Sequence, residues 1–245
     1  MKYREIIPDG FLTSFIHSFW EYETDGTDFE HTIIPDGYFD LIAKFEQGIL
    51  TSINLTGIWT KPVDVKIPKS TKIFAIRFKL IASEYLFQHE IKTILNTTKE
   101  LPLTFWNIHT YRSDSFEKFV CEISDRLENS ITYLEEIDNR KLKLFELAYS
   151  KKKLSVGELS ENVSWSSRQI NRYFSQQFGF PLKEFLNIIR CNTSYKGIAK
   201  GNLYPDDNFF DQSHFIKEIK KHTGTTPGEL SRNHNVRFIQ LATKF

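Results

Sequence analysis

Residues 154–190 read LSVGELSENVSWSSRQINRYFSQQFGFPLKEFLNIIR, and residues 208–230 read NFFDQSHFIKEIKKHTGTTPGEL. The second stretch repeats the pattern of the first. Ile170, Phe174 and Gly179 recur 45 positions later as Phe215, Ile219 and Gly224, each set an apolar i, i+4 pair followed by a glycine stop. A repeated helical unit is the simplest reading.

In the first copy, Ser155 with Glu158 and Ser166 with Gln169 are capping-box pairs, so they open two helices in quick succession. Val156, Leu159 and Val163 share a face of the first helix. Ile170, Phe174 and Phe178 share a face of the second, which stops at Gly179. Two helices joined by so short a turn predict a helix-turn-helix. Arg168, Asn171 and Arg172 stand opposite the apolar stripe near the start of the second helix, where a recognition helix meets base edges. Arg can bond guanine and Asn adenine in a bidentate way. In the second copy Gln212, Ser213 and Lys217 hold the corresponding face, with Lys217 in register with Arg172.

Taken together, these segments resemble the DNA-binding domain of the AraC family of bacterial transcription regulators over about 90 residues. The pieces that carry the resemblance are FDQSHF at 210–215, Gly-x-x-Pro at 224–227, and Arg172-Tyr173-Phe174 before Gly179-Phe180-Pro181. The resemblance implies two helix-turn-helix units joined by a long helix, each setting its second helix into one of two successive major grooves of duplex DNA. It implies Arg168, Asn171 and Arg172 as the base-reading residues of the first unit, and Gln212, Ser213 and Lys217 as those of the second. The connecting helix is expected from Pro181, at its first position, to about Lys200, with Phe185, Ile188 and Ile189 inward. The chain departs from the family pattern at Tyr204, Pro205-Asp206-Asp207 and Asn208-Phe209. Proline cannot occupy a regular helix interior without losing a hydrogen bond, so a short or distorted helix starting at Pro205 is expected around 205–208.

Charge divides along the same line. Residues 151–245 hold 15 Lys and Arg against 8 Asp and Glu, net +7, and the first 150 hold 17 against 23, net −6. A basic half that coincides with the repeat is the electrostatic footprint of a nucleic-acid-binding domain. Lys151, Lys152 and Lys153, just before the first unit, are candidates for phosphate contact and equally for a solvated helix end.

The first 108 residues alternate short β-rich runs with turn signals, at Phe15–Tyr22, His31–Ile34, Phe39–Phe45, Leu50–Trp59, Val63–Ile67 and Lys72–Phe78. They predict a small, cupin-like barrel or sandwich. Pro35-Asp36-Gly37 is a turn in which proline pre-sets φ and glycine accepts positive φ. A helix is expected over Ala82–Leu95, with Tyr85, Leu86, His89, Ile94 and Leu95 inward. This region resembles the N-terminal domain of one AraC-type subgroup through Phe19-Trp20, Pro35-Asp36-Gly37 with Asp40-Leu41-Ile42, and Ile76-Arg77-Phe78.

Phe116, Phe119, Val120, Ile123 and Leu127 form a helical stripe behind an Asp114/Glu117 capping pattern, which makes this stretch a connector. Its stripe can cover its own β-domain or pair with a second copy, and the resemblance favours a homodimer. The first helix of the DNA-binding domain is expected over Asn139–Tyr149, and Val236–Leu241 is expected to form a short strand or an added helix. The expected organisation is α+β: a β-rich sensing or dimerisation domain over 1–110, a helical connector over 111–135, and an all-α domain with two helix-turn-helix units over 136–245.

Catalysis finds little support in the residues. The seven histidines, His17, His31, His89, His109, His214, His222 and His234, include no closely spaced pair of the kind a cupin metal site needs, so no metal ligands, catalytic residues or cofactor are assigned. No Gly-rich phosphate loop or nucleophile motif occurs. Trp20, Trp59 and Arg77 could line a ligand pocket or simply belong to the core, which leaves a small-molecule effector open. Cys121 and Cys191 read as small hydrophobes. The start of the chain lacks the apolar core of a signal peptide, so a cytoplasmic location is expected, with no membrane partner. The expected function is a transcription regulator that binds double-stranded DNA, and RNA polymerase is compatible as a partner. Two alternatives stay open: a protein-interaction module with a degenerate second unit, and a metal-free β-barrel enzyme with a helical accessory domain.

Overall fold

The computed structural model describes residues 2–88, 91–132, 137–150, 154–204 and 209–232. It has a β-rich N-terminal part followed by helices. The strands are β1 (Lys2–Ile6), β2 (Ile16–Glu23), β3 (Phe29–Ile33), β4 (Phe39–Glu46), β5 (Ile49–Thr56), β6 (Val63–Ile67), β7 (Thr71–Phe78) and β8 (Thr98–Leu101). Six of them form an antiparallel sheet in the order β1-β2-β7-β4-β5-β8, and β3 pairs with β6 in a separate two-stranded ribbon. The helices are α1 (Ala82–Tyr85), α2 (Phe116–Thr132), α3 (Asn139–Tyr149), α4 (Val156–Val163), α5 (Ser167–Phe178), α6 (Leu182–Ala199), α7 (Gln212–Thr223) and α8 (Pro227–Arg232).

Strict alternation places Phe39, Leu41, Ala43 and Phe45 of β4 on the buried face of the sheet, as a period of two requires. Phe19 and Phe74 share that face and meet the α2 stripe, with ring centroids 5.2 Å apart for Phe74–Phe116 and 6.4 Å for Phe19–Phe119. Phe116, Phe119, Ile123, Leu127 and Ile131 are thus buried within the chain, and this stripe is covered by its own sheet, not by a second copy. α2 starts at Phe116, so Asp114 stands one residue before its cap position, and Glu117 pairs with Arg4 and Asp114 with Arg112.

The opposite face of the sheet carries a smaller core of Trp20, Tyr22, Ile73 and Ala75, joined by Ile67 from the ribbon. At one end of this face β4 and β7 set Asp40 directly opposite Arg77. The guanidinium donates to Asp40 at 3.1 and 3.4 Å and lies 3.6 Å from Asp36, while the Trp20 indole donates to Asp40 at 3.3 Å. Burial disfavours the Arg77 cation, but Asp40 and then Asp36 outweigh it and hold its pKa above the ordinary guanidinium value.

Several sequence expectations change. β1 and β8, at the two edges of the sheet, were not anticipated, because edge strands need no continuous apolar pattern. The helix expected over 82–95 is instead the single turn α1 and a 3-10 turn at Ile91–Ile94, with Gln88 between them at φ 52. A left-handed residue ends a right-handed helix. Pro181 is the N-cap of α6 and not its first residue. His89, Lys151, Lys152, Lys153, the distorted helix expected around 205–208 and the element expected over Val236–Leu241 lie outside the described residues.

Replacing Asp40 with Asn strips the largely buried guanidinium of its closest partner. Removing one member of such a pair costs about 3 kcal/mol, at the low end of the usual range because Asp36 remains, and urea denaturation of D40N will read it.

Candidate nucleic-acid interface

The first unit folds locally as its capping signals dictate. The Ser155 hydroxyl accepts from the Glu158 amide while Glu158 accepts from the Ser155 amide, and Ser166 and Gln169 do the same at the start of α5. Each box satisfies two amides that an α-helix leaves free at its start. Between the helices Ser164 is left-handed, at φ 52, and closes the turn. Ile170, Tyr173, Phe174 and Phe178 are buried, so the opposite face of α5 is outward.

Arg168 and Arg172 are exposed on that outward face. Asn171 is half-buried, and its amide donates 2.9 Å to the Ser167 carbonyl one turn earlier. Base readout by Asn171 therefore requires that bond to be exchanged. In the second copy Asp211 caps α7 by accepting from the His214 amide at 2.7 Å, Phe215 and Ile219 are buried, and Gln212, Ser213 and Lys217 are exposed. The Lys221 ammonium bonds the Glu184 carboxylate at 2.8 Å, tying α7 to α6. The two triads thus occupy equivalent, outward stretches at the N-terminal ends of equivalent helices.

The C-terminal ends of both helices face the β-domain. At the left-handed cap Gly179, an added Cβ would lie 3.2 Å from Lys92 and 3.3 Å from Leu95. Tyr173 donates 2.9 Å to Glu84, which also pairs with Lys141 of α3. At the matching cap Gly224, the added atom would lie 3.7 Å from Pro62. His222, fully buried in the last turn of α7, lies against the Thr60 backbone and Glu184, with its Nε2 3.7 Å from Glu218. Burial lowers its pKa, and the neighbouring carboxylates only partly offset that.

Between these ends, the segment from Ile34 to Tyr38 runs along α6. The carbonyls of Pro35, Asp36 and Gly37 accept from Tyr195 (3.5 Å), Asn192 (3.1 Å) and Tyr149 (2.7 Å). Gly37 has φ +84, and a Cβ there would sit 2.5 Å from Ile189 and 3.2 Å from Phe185. Only glycine satisfies both the turn and the close approach. Tyr38 stacks between His17 (4.4 Å) and Tyr149 (5.1 Å). Sequence reasoning missed Ile34, Tyr149, Tyr173, Asn192 and Tyr195. The available signal was a tyrosine hydroxyl at helix positions that pattern as buried, since such a group needs a partner.

Trp20 and Arg77 are engaged with Asp40, and Trp59 is half-buried. A cavity of about 610 Å³ is lined by Glu84, Tyr85 and residues 137–141 at the start of α3. Among the described residues no group of three His, Cys, Asp or Glu side chains could hold a metal ion, and no helix is long and apolar enough to cross a membrane.

Residues 4–100 match the model of a family described as a domain of unknown function, DUF6597. No curated protein matches the chain. Among solved structures, apo ToxT from Vibrio cholerae strain SCE256 is 14% identical with a TM-score of 0.43, over 89% of this chain and 98% of that one. ToxT from Vibrio cholerae O395 gives 12%, 0.44, 89% and 98%. Wild-type ToxT from strain SCE256 with an unsaturated fatty acid bound gives 12%, 0.39, 85% and 92%.

The buried His222 generates a pH dependence. Its folded pKa lies below the unfolded value of about 6.5, so its neutral form contributes fully above that pH and stability falls as pH drops through the folded pKa. H222Q is expected to flatten the slope of thermal stability against pH on the acid side of neutrality.

Proposed function

We propose that the chain is a sequence-specific DNA-binding transcription regulator of the AraC type. In this reading the N-terminal halves of α5 and α7 enter successive major grooves. The observation that supports it best is the pair of triads, Arg168/Asn171/Arg172 and Gln212/Ser213/Lys217, on the N-terminal stretches of two capped helices 45 residues apart, with Arg168 in register with Ser213 and Arg172 with Lys217. Side chains near the start of such a helix reach base edges, and the net +7 of residues 151–245 supplies attraction to phosphate. Lys151, Lys152 and Lys153 take the phosphate role, and Arg168 and Arg172 the guanine-reading role. Base contacts would be hydrogen bonds alone, with no chemical step. An effector, a homodimeric state and contact with RNA polymerase are compatible additions to the same reading.

A second reading draws on apolar side chains near α7. Phe210 is 93% exposed and Tyr204 72% exposed, with Ile216 partly exposed beside Lys217. Such exposure suits docking of a partner protein on the second unit.

Selection of bound duplexes from a random pool by the full-length protein, at two salt concentrations, separates the two. DNA reading yields an enriched site whose affinity falls steeply with salt; interaction alone yields no enriched site at either concentration. R172A is expected to relax preference at one base pair, at a cost of about 1–3 kcal/mol, whereas K151A weakens all sequences alike. Uniform weakening by both variants, measured on a panel of single-base-pair substitutions, would remove Arg172 from the base-reading set.

A further inference from the structure

The five residues Ile34 to Tyr38 touch both helical units at once. Ile34, from the β-domain, is completely buried among Cys191, Tyr195, Ile198, Phe215 and Ile219, so it completes the core of the second unit. Pro35 and Asp36 bond the C-terminal half of α6 through Tyr195 and Asn192. Gly37 and Tyr38 turn to the other side, to Tyr149, Phe185 and Ile189. Tyr149 and Phe185 pack with Phe145, and Phe145 and Phe185 with Phe174, which places them in the core of the first unit. The segment therefore lies beside α6 as a second strut, with one end in each unit.

Two features make this strut stiff. Asp36 is held by the buried Arg77 and accepts from the Tyr38 amide at 3.1 Å, which anchors the turn to the sheet. The two C-terminal caps, Gly179 on Lys92 and Leu95 and Gly224 near Pro62, rest on neighbouring loops of the same domain. A single helix joining two units leaves bending and twisting free at both ends; contacts to a third rigid body at three places remove that freedom.

We infer that the β-domain sets the separation and mutual angle of the two reading helices, with Ile34, Gly37 and the helix partners Tyr149 and Asn192 as positioning residues for operator spacing. This inference rests on the DNA-reading function proposed above. None of the four touches a base in it. They act on which distance between two contact blocks the protein accepts, a property separate from the bases preferred within each block. The first 100 residues would then contribute to sequence specificity without contacting DNA.

The test uses the full chain and the duplex selected by the wild type, together with duplexes whose two contact blocks are moved one base pair closer or farther apart. Wild-type protein is expected to lose about tenfold or more in affinity on either shifted duplex, the cost of an ordinary site mismatch. I34A is expected to lose less than about threefold on the shifted duplexes while keeping the same preferred bases in each block. If circular dichroism shows I34A to be unfolded, the double variant Y149F/N192A, which removes the bonds from Tyr149 to Gly37, from the Leu80 amide to Tyr149 and from Asn192 to Asp36 and leaves the apolar cores intact, carries the same expectation. Folded variants that retain the full wild-type spacing penalty overturn the inference while leaving the DNA-reading function intact. Wild-type protein that enriches a single block overturns the inference and assigns base reading to one unit. Wild-type protein that enriches no duplex overturns the DNA-reading function itself, and the inference with it.

Discussion

A largely buried guanidinium organises the contact between the two halves of this protein. Arg77 stands opposite Asp40 at one end of the two central strands and reaches Asp36 in the adjoining turn. A charge in this position is costly without its carboxylates, which ties the turn that contains Asp36 to the sheet. The backbone carbonyls of that turn then project away from the sheet and accept hydrogen bonds from α3 and α6. An electrostatic constraint inside one domain is thereby converted into the placement of the other.

The same logic explains where the helical units are free and where they are not. α5 and α7 each have an outward N-terminal half carrying donors, and a C-terminal cap set on the N-terminal β-rich part. Anchoring at the cap leaves the free amides and exposed side chains of the opposite end facing solvent, which is the end suited to a polyanion. Ile34 carries the arrangement further, since a residue of the first domain completes the apolar core of the second unit. The two parts of the chain share cores and do not merely touch.

The α2 stripe shows how packing chooses between readings that a pattern leaves open. Its apolar face suited either its own sheet or a second copy, and Phe74, Phe19 and Tyr111 take it. Periodicity states that a face must be covered; it does not state by what. The failure of the expected 82–95 helix has a similar cause. Glu84 and Tyr85 bond to Tyr173 and to the amide of Asp138 at the start of α3, α1 ends at Tyr85, and the left-handed Gln88 keeps the helix from resuming.

Much of the helical part was legible residue by residue, because its signals are local. The two capping boxes, the glycine stops and the i, i+4 apolar pairs act within one or two turns, and α4, α5 and α7 form where those signals stand. The central strands were legible for the same reason, through the period-two alternation best seen in β4. The outward position of Arg168, Arg172, Gln212 and Lys217 follows from those local patterns alone. What the tertiary structure decided is everything that depends on distant segments meeting: the edge strands β1 and β8, the partner of the α2 stripe, and the bonds from Tyr149, Asn192 and Tyr195 to a turn more than 100 residues earlier. Hydrogen bonds and apolar contacts across such separations leave no periodic trace in the chain, because each partner looks locally like an ordinary turn residue or an ordinary buried tyrosine, and only the folded arrangement gives it something to bind.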